Sequence, residues 1–338
     1  MSKRCIIIGS GLTGLTLAKQ LKPSPWCVQV LDKGFGPGGR LASRPLTHPA
    51  GTAGQCDYGA QFFRATHPQF QRWVQTMEEQ QAVAVWGSAF LDSQGQQRSF
   101  STPCYRGVPH QRWLALALAQ DLTLYQQTRV DQIHWQSESW QIQASSGASF
   151  QADCLAITPP LPQTLDLLRT SSIPIAPEVQ TQLAAVTYDA CLTVMALLDQ
   201  PSLIPPPGGL FVRDSPLQWI ACNQQKGISV STPALTIHAT PEFSQDHWDS
   251  APETVVSQLI QAAQPWIAGS VLATRYHRWK YSHPKTVVGQ RAIALPCPGP
   301  LILAGDAFSL TPDPDPSLQL EQAYLSGLAA ADLVRQFD

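Results

Sequence analysis

Charge is scarce in this sequence. Acidic and basic side chains make up 14% of its 338 residues, against roughly 25% in an average soluble domain. The formal net charge is only -2, which removes any electrostatic ground for a nucleic-acid partner or for attraction to an anionic membrane surface. Long apolar runs are missing as well. No stretch approaches the roughly 20 residues that cross a bilayer, and there is no heptad pattern or fixed-period repeat. The eight cysteines, Cys5, Cys27, Cys56, Cys104, Cys154, Cys191, Cys222 and Cys297, are scattered singly. Without a C-x-x-C pair neither a zinc ribbon nor a dithiol redox motif is supported. Several stand in apolar strand-like runs, where a free thiol acts as a small hydrophobe. No metal is expected, and a reducing cytoplasm is the expected location.

What the chain does have begins at its head. Lys3 and Arg4 precede the run "CIII" in the manner of a secretory leader. However, Gly9, Gly11 and Gly14 interrupt that run, and Thr13, Lys19 and Gln20 follow where a cleavage site should stand. A folded strand over 4–9 and a helix over 12–22, stopped by Pro23 and Pro25, fit better. "WCVQVLDK" (26–33) reads as a second strand ending at Asp32, followed by the glycine-rich loop "GFGPGGRLAS".

Helices are expected over 67–82, 109–120, 161–169, 178–185, 252–263 and 319–336. Between 123 and 157, "TLYQQTRVDQIHWQ", "SWQIQASS" and "ASFQADCLAIT" read as an antiparallel meander that ends in the buried strand "CLAIT". Further strands are expected near 189–198, 210–213, 217–222, 234–240 and 271–279, with "PSLIPPPGG" as a loop and "LILAGDA" as a last buried strand. The chain thus opens and closes in the same kind of α/β unit. The expected class is α/β: a discontinuous dinucleotide-binding domain over 1–75, 121–160 and 290–338, with an inserted α+β substrate domain over 76–120 and 161–289 containing a mixed or antiparallel sheet.

Gly9-Ser10-Gly11-Leu12-Thr13-Gly14 lies between the first strand and the first helix, the context that a dinucleotide fingerprint requires. The first glycine permits a tight turn, the second lets a pyrophosphate approach the backbone, and the third lets helix and strand pack closely. Unpaired N–H groups at the helix start would hold the phosphates. Asp32 follows about twenty residues on, where a carboxylate can accept from ribose hydroxyls. The alternative is a strand–helix turn whose glycines serve packing alone.

Three further segments carry a resemblance: "GPGGRLAS", "CDYGAQFF" and "LILAGDAF". With "YRGVPHQRWLALAL", "LAITPPLPQTLDLL", "TIHATPEF" and "HRWKYSHP", they resemble the renalase-like oxidoreductases of the FAD-dependent amine-oxidase-like superfamily over nearly the whole chain. The resemblance implies non-covalent FAD in a Rossmann-type domain. Gly39 and Arg40 would then lie against the diphosphate, with Leu41 beside them, and Tyr58, Gly59, Ala60 and Gln61 beside the flavin ring. Asp306 after Gly305 would bind the ribityl or diphosphate part, and a backbone group of Val130 would hold the adenine. Lys33, Thr158 and Leu320 complete the expected contacts. There is one departure: "GDAFSLTPDPDPSLQLEQAYLSG" is longer and more acidic than its counterparts, and Gln322 stands where glycine is usual, although Ser326 and Gly327 are retained.

The resemblance also implies a reaction: oxidation of isomeric reduced nicotinamide dinucleotides, with O2 reoxidising the flavin. Dihydropyridine oxidation needs no general base, only alignment of the donor carbon. No G-x-S-x-G, H-E-x-x-H or paired carboxylate spacing is present. Candidate catalytic residues are Gln61, Asn223, His238 and Trp279, with Arg275, His277, Lys280 and Tyr281 as further pocket candidates. Each also has a plain structural reading, since a strand Trp or a lone His is more often core. An amine oxidase, a desaturase and a non-catalytic flavin- or nucleotide-binding module stay open as alternatives.

Overall fold

The computed structural model describes residues 3–312 and 315–337. Its first unit follows the fingerprint: β1 (Arg4–Ile8), α1 (Leu12–Leu21) and β2 (Cys27–Leu31). The glycine-rich loop leads to a hairpin, β3 (Ser43–Thr47) and β4 (Ala53–Asp57), and then to α2 (Pro68–Glu79). Next come the long pair β5 (Val83–Asp92) and β6 (Gln97–Gly107), and α3 (Trp113–Ala119). After β7 (Thr123–Tyr125), the strands β8 (Val130–Gln136), β9 (Ser139–Ala144) and β10 (Ser149–Ala152) form a small sheet, and β11 (Cys154–Ile157) returns to the first unit.

The middle of the chain contributes α4 (Leu161–Thr170), α5 (Pro177–Ala184), β12 (Tyr188–Leu198), β13 (Gly209–Phe211), β14 (Leu217–Cys222) and β15 (Ala234–Ala239). It continues through α6 (Pro241–Asp246), α7 (Pro252–Ala263) and the 14-residue β16 (Val271–Pro284). Short strands β17 (Ile293–Ala294) and β18 (Leu301–Leu303) precede the closing helix α8 (Gln319–Arg335).

The first and last segments share one sheet, ordered β17-β18-β11-β1-β2-β7. β1 runs parallel to both β2 and β11, so it is covered on both faces and reads as an unbroken apolar run. Successive side chains of a strand point to opposite faces. Accordingly Cys5 and Ile7 pack with Leu17, Leu21, Ala330 and Val334 of the α1–α8 layer. Ile6 and Ile8 pack with Ile133, Trp140 and Ile142 of the small sheet. The result is a Rossmann-like α/β unit with helices on one face and a β-layer on the other. The middle segments form a mixed seven-stranded sheet, β16-β12-β15-β14-β13-β5-β6, and the β3–β4 hairpin packs across its β16–β12–β15 end.

Several local expectations need correction. Residues 83–107 and 43–57 were given no element, yet they supply β5, β6 and the β3–β4 hairpin. β7 does not belong to the meander. It pairs in parallel with β2 through Gln29, Val30 and Leu31, and the chain then turns at Gln127 with φ +52. The helix expected from 109 starts only at Trp113, because the Gln111 N–H is spent on the Asp57 carboxylate and its side chain accepts from the Gly107 N–H. β16 runs to Pro284 rather than stopping at 279, since its pairing with β12 extends to Tyr188.

The helices α1 and α8 cross at Gly327, where a Cβ would lie 2.6 Å from the Thr13 carbonyl oxygen and 2.8 Å from the Thr16 Cβ. Gly327→Val should therefore lower stability by about 1–3 kcal/mol through overpacking. That loss would be read as a lower urea midpoint at unchanged m. An unaltered midpoint would contradict the close crossing.

Candidate active site

The fingerprint folds into a cradle. Gly9 takes φ +103, a value open to glycine, and a Cβ there would sit 2.6 Å from the Thr158 hydroxyl oxygen. At Gly14 a Cβ would lie 2.0 Å from the Gly9 carbonyl oxygen. Both positions are closed by packing, but Gly11 is not: its Cβ would meet nothing within 4 Å. Gly11 caps α1 in extended conformation with no side-chain hydrogen bond to the helix start, so the first-turn N–H groups have no intrahelical acceptor. The second glycine-rich loop closes the other side. Gly38 N–H donates to the Ser10 carbonyl at 2.9 Å, and Gly39, at φ +52, lies over Gly11.

An open space walled by backbone, with free donors at a positive helix end, fits a dinucleotide diphosphate. Leu12 and Thr13 form the first turn behind it. Leu12 is buried, and the Thr13 hydroxyl donates to the Ala323 carbonyl at 2.8 Å. Thr158 borders the cradle from β11, its hydroxyl donating to the Ile8 carbonyl at 2.9 Å. Asp32 stands beside it, with one carboxylate oxygen accepting from the Ser10 N–H and hydroxyl at 2.5 and 2.7 Å. Its other oxygen accepts from Gly34 N–H at 2.6 Å, which leaves a lone pair for a ribose hydroxyl. Lys33 turns outward to Gln163.

Arg40 lies between head and tail. Its Nη1 is 2.6 Å from Asp306 Oδ2 and donates to the Tyr281 carbonyl at 3.1 Å. Gln319 Nε2 donates to the same Asp306 oxygen at 2.8 Å. Burial works to raise the Asp306 pKa, but Arg40 and Gln319 outweigh it and hold the carboxyl below its ordinary value. Gly305 N–H is held by the Ser326 hydroxyl at 2.9 Å. Leu41 and Leu320 are buried in a common core with Leu12. Gln322, the residue in the unusual position, accepts from the Ser309 hydroxyl at 3.0 Å. Asp313 and Pro314 of the acidic loop lie outside the described residues. Val130 opens β8, paired with Ala144.

The segment from Asp57 to Gln61 leaves β4 under tight control. Ala60 N–H donates to the Arg40 carbonyl at 2.9 Å, and a Cβ on Gly59 would lie 2.0 Å from that oxygen. Gln61 Nε2 donates to the Asp57 and Gly59 carbonyls at 2.8 and 3.0 Å, while its Oε1 is buried without a partner. Beneath this segment Asp57 accepts from Ser43, Gln111 and Lys226, the last at 2.9 Å. Asp57 and Lys226 are both fully buried. The Lys226 ammonium also donates to the Gln61 carbonyl and lies 4.8 Å from the Trp86 ring centroid. Burial pulls the Lys226 pKa down, against the opposing pull of Asp57. Asn223 holds the same segment from below, accepting from Asp57 N–H at 3.1 Å and donating to Thr236 at 3.0 Å.

Trp279 and His238 meet on one atom. The Tyr58 carbonyl accepts from Trp279 Nε1 at 3.0 Å and lies 3.2 Å from His238 Nε2. The Tyr58 ring stacks on Trp279 at 5.4 Å and meets the edge of His277 at 5.0 Å. Burial pushes the His238 pKa down to about 4, partly opposed by its bond to Tyr58 and aided by Lys226. His277 is also pushed down to about 4, by burial and then by Arg44 and Arg275. Both imidazoles are neutral at pH 7.

Sequence reasoning named Trp279, His238, His277, Asn223 and Gln61, and the fold gathers them around residues 57–61. It missed Asp57, Lys226 and Arg44. A single lysine after a turn has no signal for complete burial, and Asp57 stands in a segment to which the sequence assigns no element. Lys280 and Arg278 belong to the opposite face of β16, with Arg278 over Trp248.

A family model described as an NAD(P)-binding Rossmann-like domain matches residues 7–78. Renalase from Mus musculus is 24% identical over 324 residues, covering 90% of this chain and 93% of the mouse protein. Among solved structures, a protein described as a protoporphyrinogen oxidase from Exiguobacterium sp. 255-15 superposes with TM-score 0.73 at 13% identity over the full length of both chains. Putrescine oxidase bound to putrescine gives TM-score 0.66 at 11% identity, covering 99% of each chain. Fold, cradle and sequence similarity together define an FAD-dependent oxidoreductase. Within that class the protein is renalase-like.

Two outcomes follow. Gly11→Val places a side chain in open space, so the apoprotein should keep its thermal midpoint while FAD retention on gel filtration falls at least tenfold. Undiminished yellow colour would count against the cradle. Because the unfolded chain protonates His238 near its ordinary 6.5 while the native chain resists until about 4, stability should fall as pH drops through that window. His238→Asn should flatten the decline, measured by urea denaturation at steps between those pH values.

Proposed function

We propose that the protein oxidises isomeric forms of reduced nicotinamide dinucleotides to the aromatic dinucleotide, with O2 as the final electron acceptor. FAD, when bound, supplies the two-electron acceptance that this chemistry needs. The observation that carries the reading is the cluster around Tyr58: Trp279 and His238 on its carbonyl and His277 against its ring present flat, neutral rings. A dihydropyridine gives up its hydride without prior loss of a proton, so it asks for alignment rather than for a base. The stacked Tyr58 and Trp279 rings offer a surface for a planar donor. The unpartnered Gln61 Oε1 is an acceptor suited to a carboxamide N–H, which would fix the ring's orientation. In this reading Gly9, Gly11, Gly14, Asp32, Gly39, Arg40, Gly305 and Asp306 hold the cofactor. Gln61, His238 and Trp279 line the substrate side, and Asn223 keeps residues 57–61 in place. The division into a discontinuous cofactor domain and an inserted substrate domain is part of the same proposal.

The similarity to mouse renalase over 90% of the chain supports this reading above the others. Superposition with the putrescine oxidase keeps amine oxidation as the rival. Anaerobic mixing of the holoenzyme with 2- and 6-dihydro isomers, 4-dihydro dinucleotide, diamines and a porphyrinogen separates the two. The expected result is loss of the oxidised flavin absorbance within seconds for the 2- and 6-dihydro isomers alone, with NAD(P) recovered as product. Bleaching by diamines, or by nothing in the panel, would reject the proposal.

A further inference from the structure

We propose that Arg44 and Arg275 form a phosphate-binding subsite at the mouth of the Tyr58–Trp279 cluster, which holds the diphosphate of a dinucleotide substrate. The proposal rests on the reading that the substrate is a dinucleotide, and it adds a recognition site to that reading. Arg44 is the second residue of β3, and its guanidinium carbon lies 4.5 Å from the Tyr58 ring centroid. One of its N–H groups donates to the Tyr58 hydroxyl at 3.1 Å, which leaves four of the five for a ligand. Arg275 reaches the same place from β16. It stands at alternate positions with His277 and Trp279, paired in turn with Met195, Thr193 and Cys191 of β12, so the three share one face. That face is the one whose His277 and Trp279 rings touch Tyr58.

The cations of this corner differ from the three buried or half-buried ones that anchor the seam and the 57–61 segment. Arg40 is paired with Asp306, Arg64 with Asp315, and Lys226 with Asp57. Among the described residues neither Arg44 nor Arg275 has an ion-pair partner. His277 feels both guanidiniums and no carboxylate. Two unneutralised cations beside an aromatic floor repel each other until an anion arrives. The planar guanidinium fork fits phosphate oxygens in a bidentate way, which a lysine would not reproduce. Arg275 is exposed and Arg44 half-buried, whereas Tyr58 is buried. A ligand could therefore leave its diphosphate at the rim while its planar ring goes deeper.

The same pair discriminates by repulsion. A dication such as putrescine, which occupies one structural neighbour, would meet two positive charges at the entrance here. Each would oppose it by like-charge repulsion. Selection against one ligand class by unpaired like charge is a common device of specificity.

Titration of the holoenzyme with ADP-ribose, nicotinamide riboside and inorganic pyrophosphate, followed by flavin difference absorbance, tests the subsite without turnover. Arg44→Gln and Arg275→Gln should each weaken ADP-ribose about tenfold and pyrophosphate similarly, and should move nicotinamide riboside less than twofold. Arg44→Lys should recover only part of the loss. Raising the salt from 50 to 500 mM should weaken ADP-ribose in the parent protein and much less in the double variant. Unchanged ADP-ribose affinity in the variants overturns the subsite. So does an equal loss for ADP-ribose and the riboside, which would mark Arg44 as mere support for Tyr58, and so does absence of ADP-ribose binding to the parent. If ADP-ribose binds through the arginines but no dihydro isomer is oxidised, the proposed reaction fails and the subsite stands. Oxidation of the isomers with binding indifferent to the arginines gives the reverse.

Discussion

The ion pair between Arg40 and Asp306 is the contact on which the site depends. It joins a loop after the second strand to the end of the last one, 266 positions apart in sequence, at 2.6 Å. Asp306 is almost wholly buried. Removing one partner of such a pair strands a charge in a poor solvent and typically costs about 3–5 kcal/mol. The geometry also matters beyond stability. Arg40 donates to β16 carbonyls from the same guanidinium, and its own carbonyl accepts from Ala60. One residue therefore ties the cradle loop, the tail, the edge of the large sheet and the 57–61 segment to a single reference point. The diphosphate contact that family resemblance implies for Arg40 would have to use the donors these contacts leave over.

The Asp57–Lys226 pair is the second fixed point, and its logic differs. A buried ion pair is weak evidence of net stabilisation, because the desolvation of two charges offsets most of their attraction. What this one does is positional. Lys226 reaches the Gln61 carbonyl while Asp57 takes donors from Ser43 and Gln111. Asn223 and Thr236 hold the backbone N–H and carbonyl of Asp57. The backbone of 57–61 is thereby pinned along its length, and the Gln61 amide is left with its nitrogen engaged and its oxygen free. That unpartnered acceptor is what the proposed orientation of a donor ring would use.

Much of this was legible in the residues. The buried strand, the three glycines and Asp32 specify a local structure almost by themselves, since each glycine answers to a distinct steric need. Trp279 and His238 were found through resemblance and through their place in the inserted segment, while strand spacing alone favours a core role for Trp279. What stayed hidden is what depends on long-range pairing. β5 and β6 form a ten- and an eleven-residue strand, but their alternation is broken by irregular registers at Gly87, so no clean period marks them. β7 was drawn into the meander because a three-residue strand has too little pattern to declare its partner. Lys226 was read past because complete burial of a lysine is a property of Asp57, Trp86 and Gln61 around it, none of which is its sequence neighbour.

The charge left unmatched at the Tyr58 corner bears on how ligands would be told apart. Two arginines of the seam are matched, Arg40 with Asp306 and Arg64 with Asp315. Such matched pairs are suited to holding one resident group in one geometry. At the Tyr58 corner the histidines are neutral and the arginines unmatched. Guanidiniums keep their charge throughout the physiological range, and imidazoles depressed to about 4 stay uncharged above pH 5. The field at the entrance is therefore set by Arg44 and Arg275 and does not vary with modest acidification. In the proposed subsite a substrate's own charge, rather than the protonation state of the protein, would decide whether it is admitted. An anionic dinucleotide and a cationic amine fall on opposite sides of that choice, although the fold beneath them is the same.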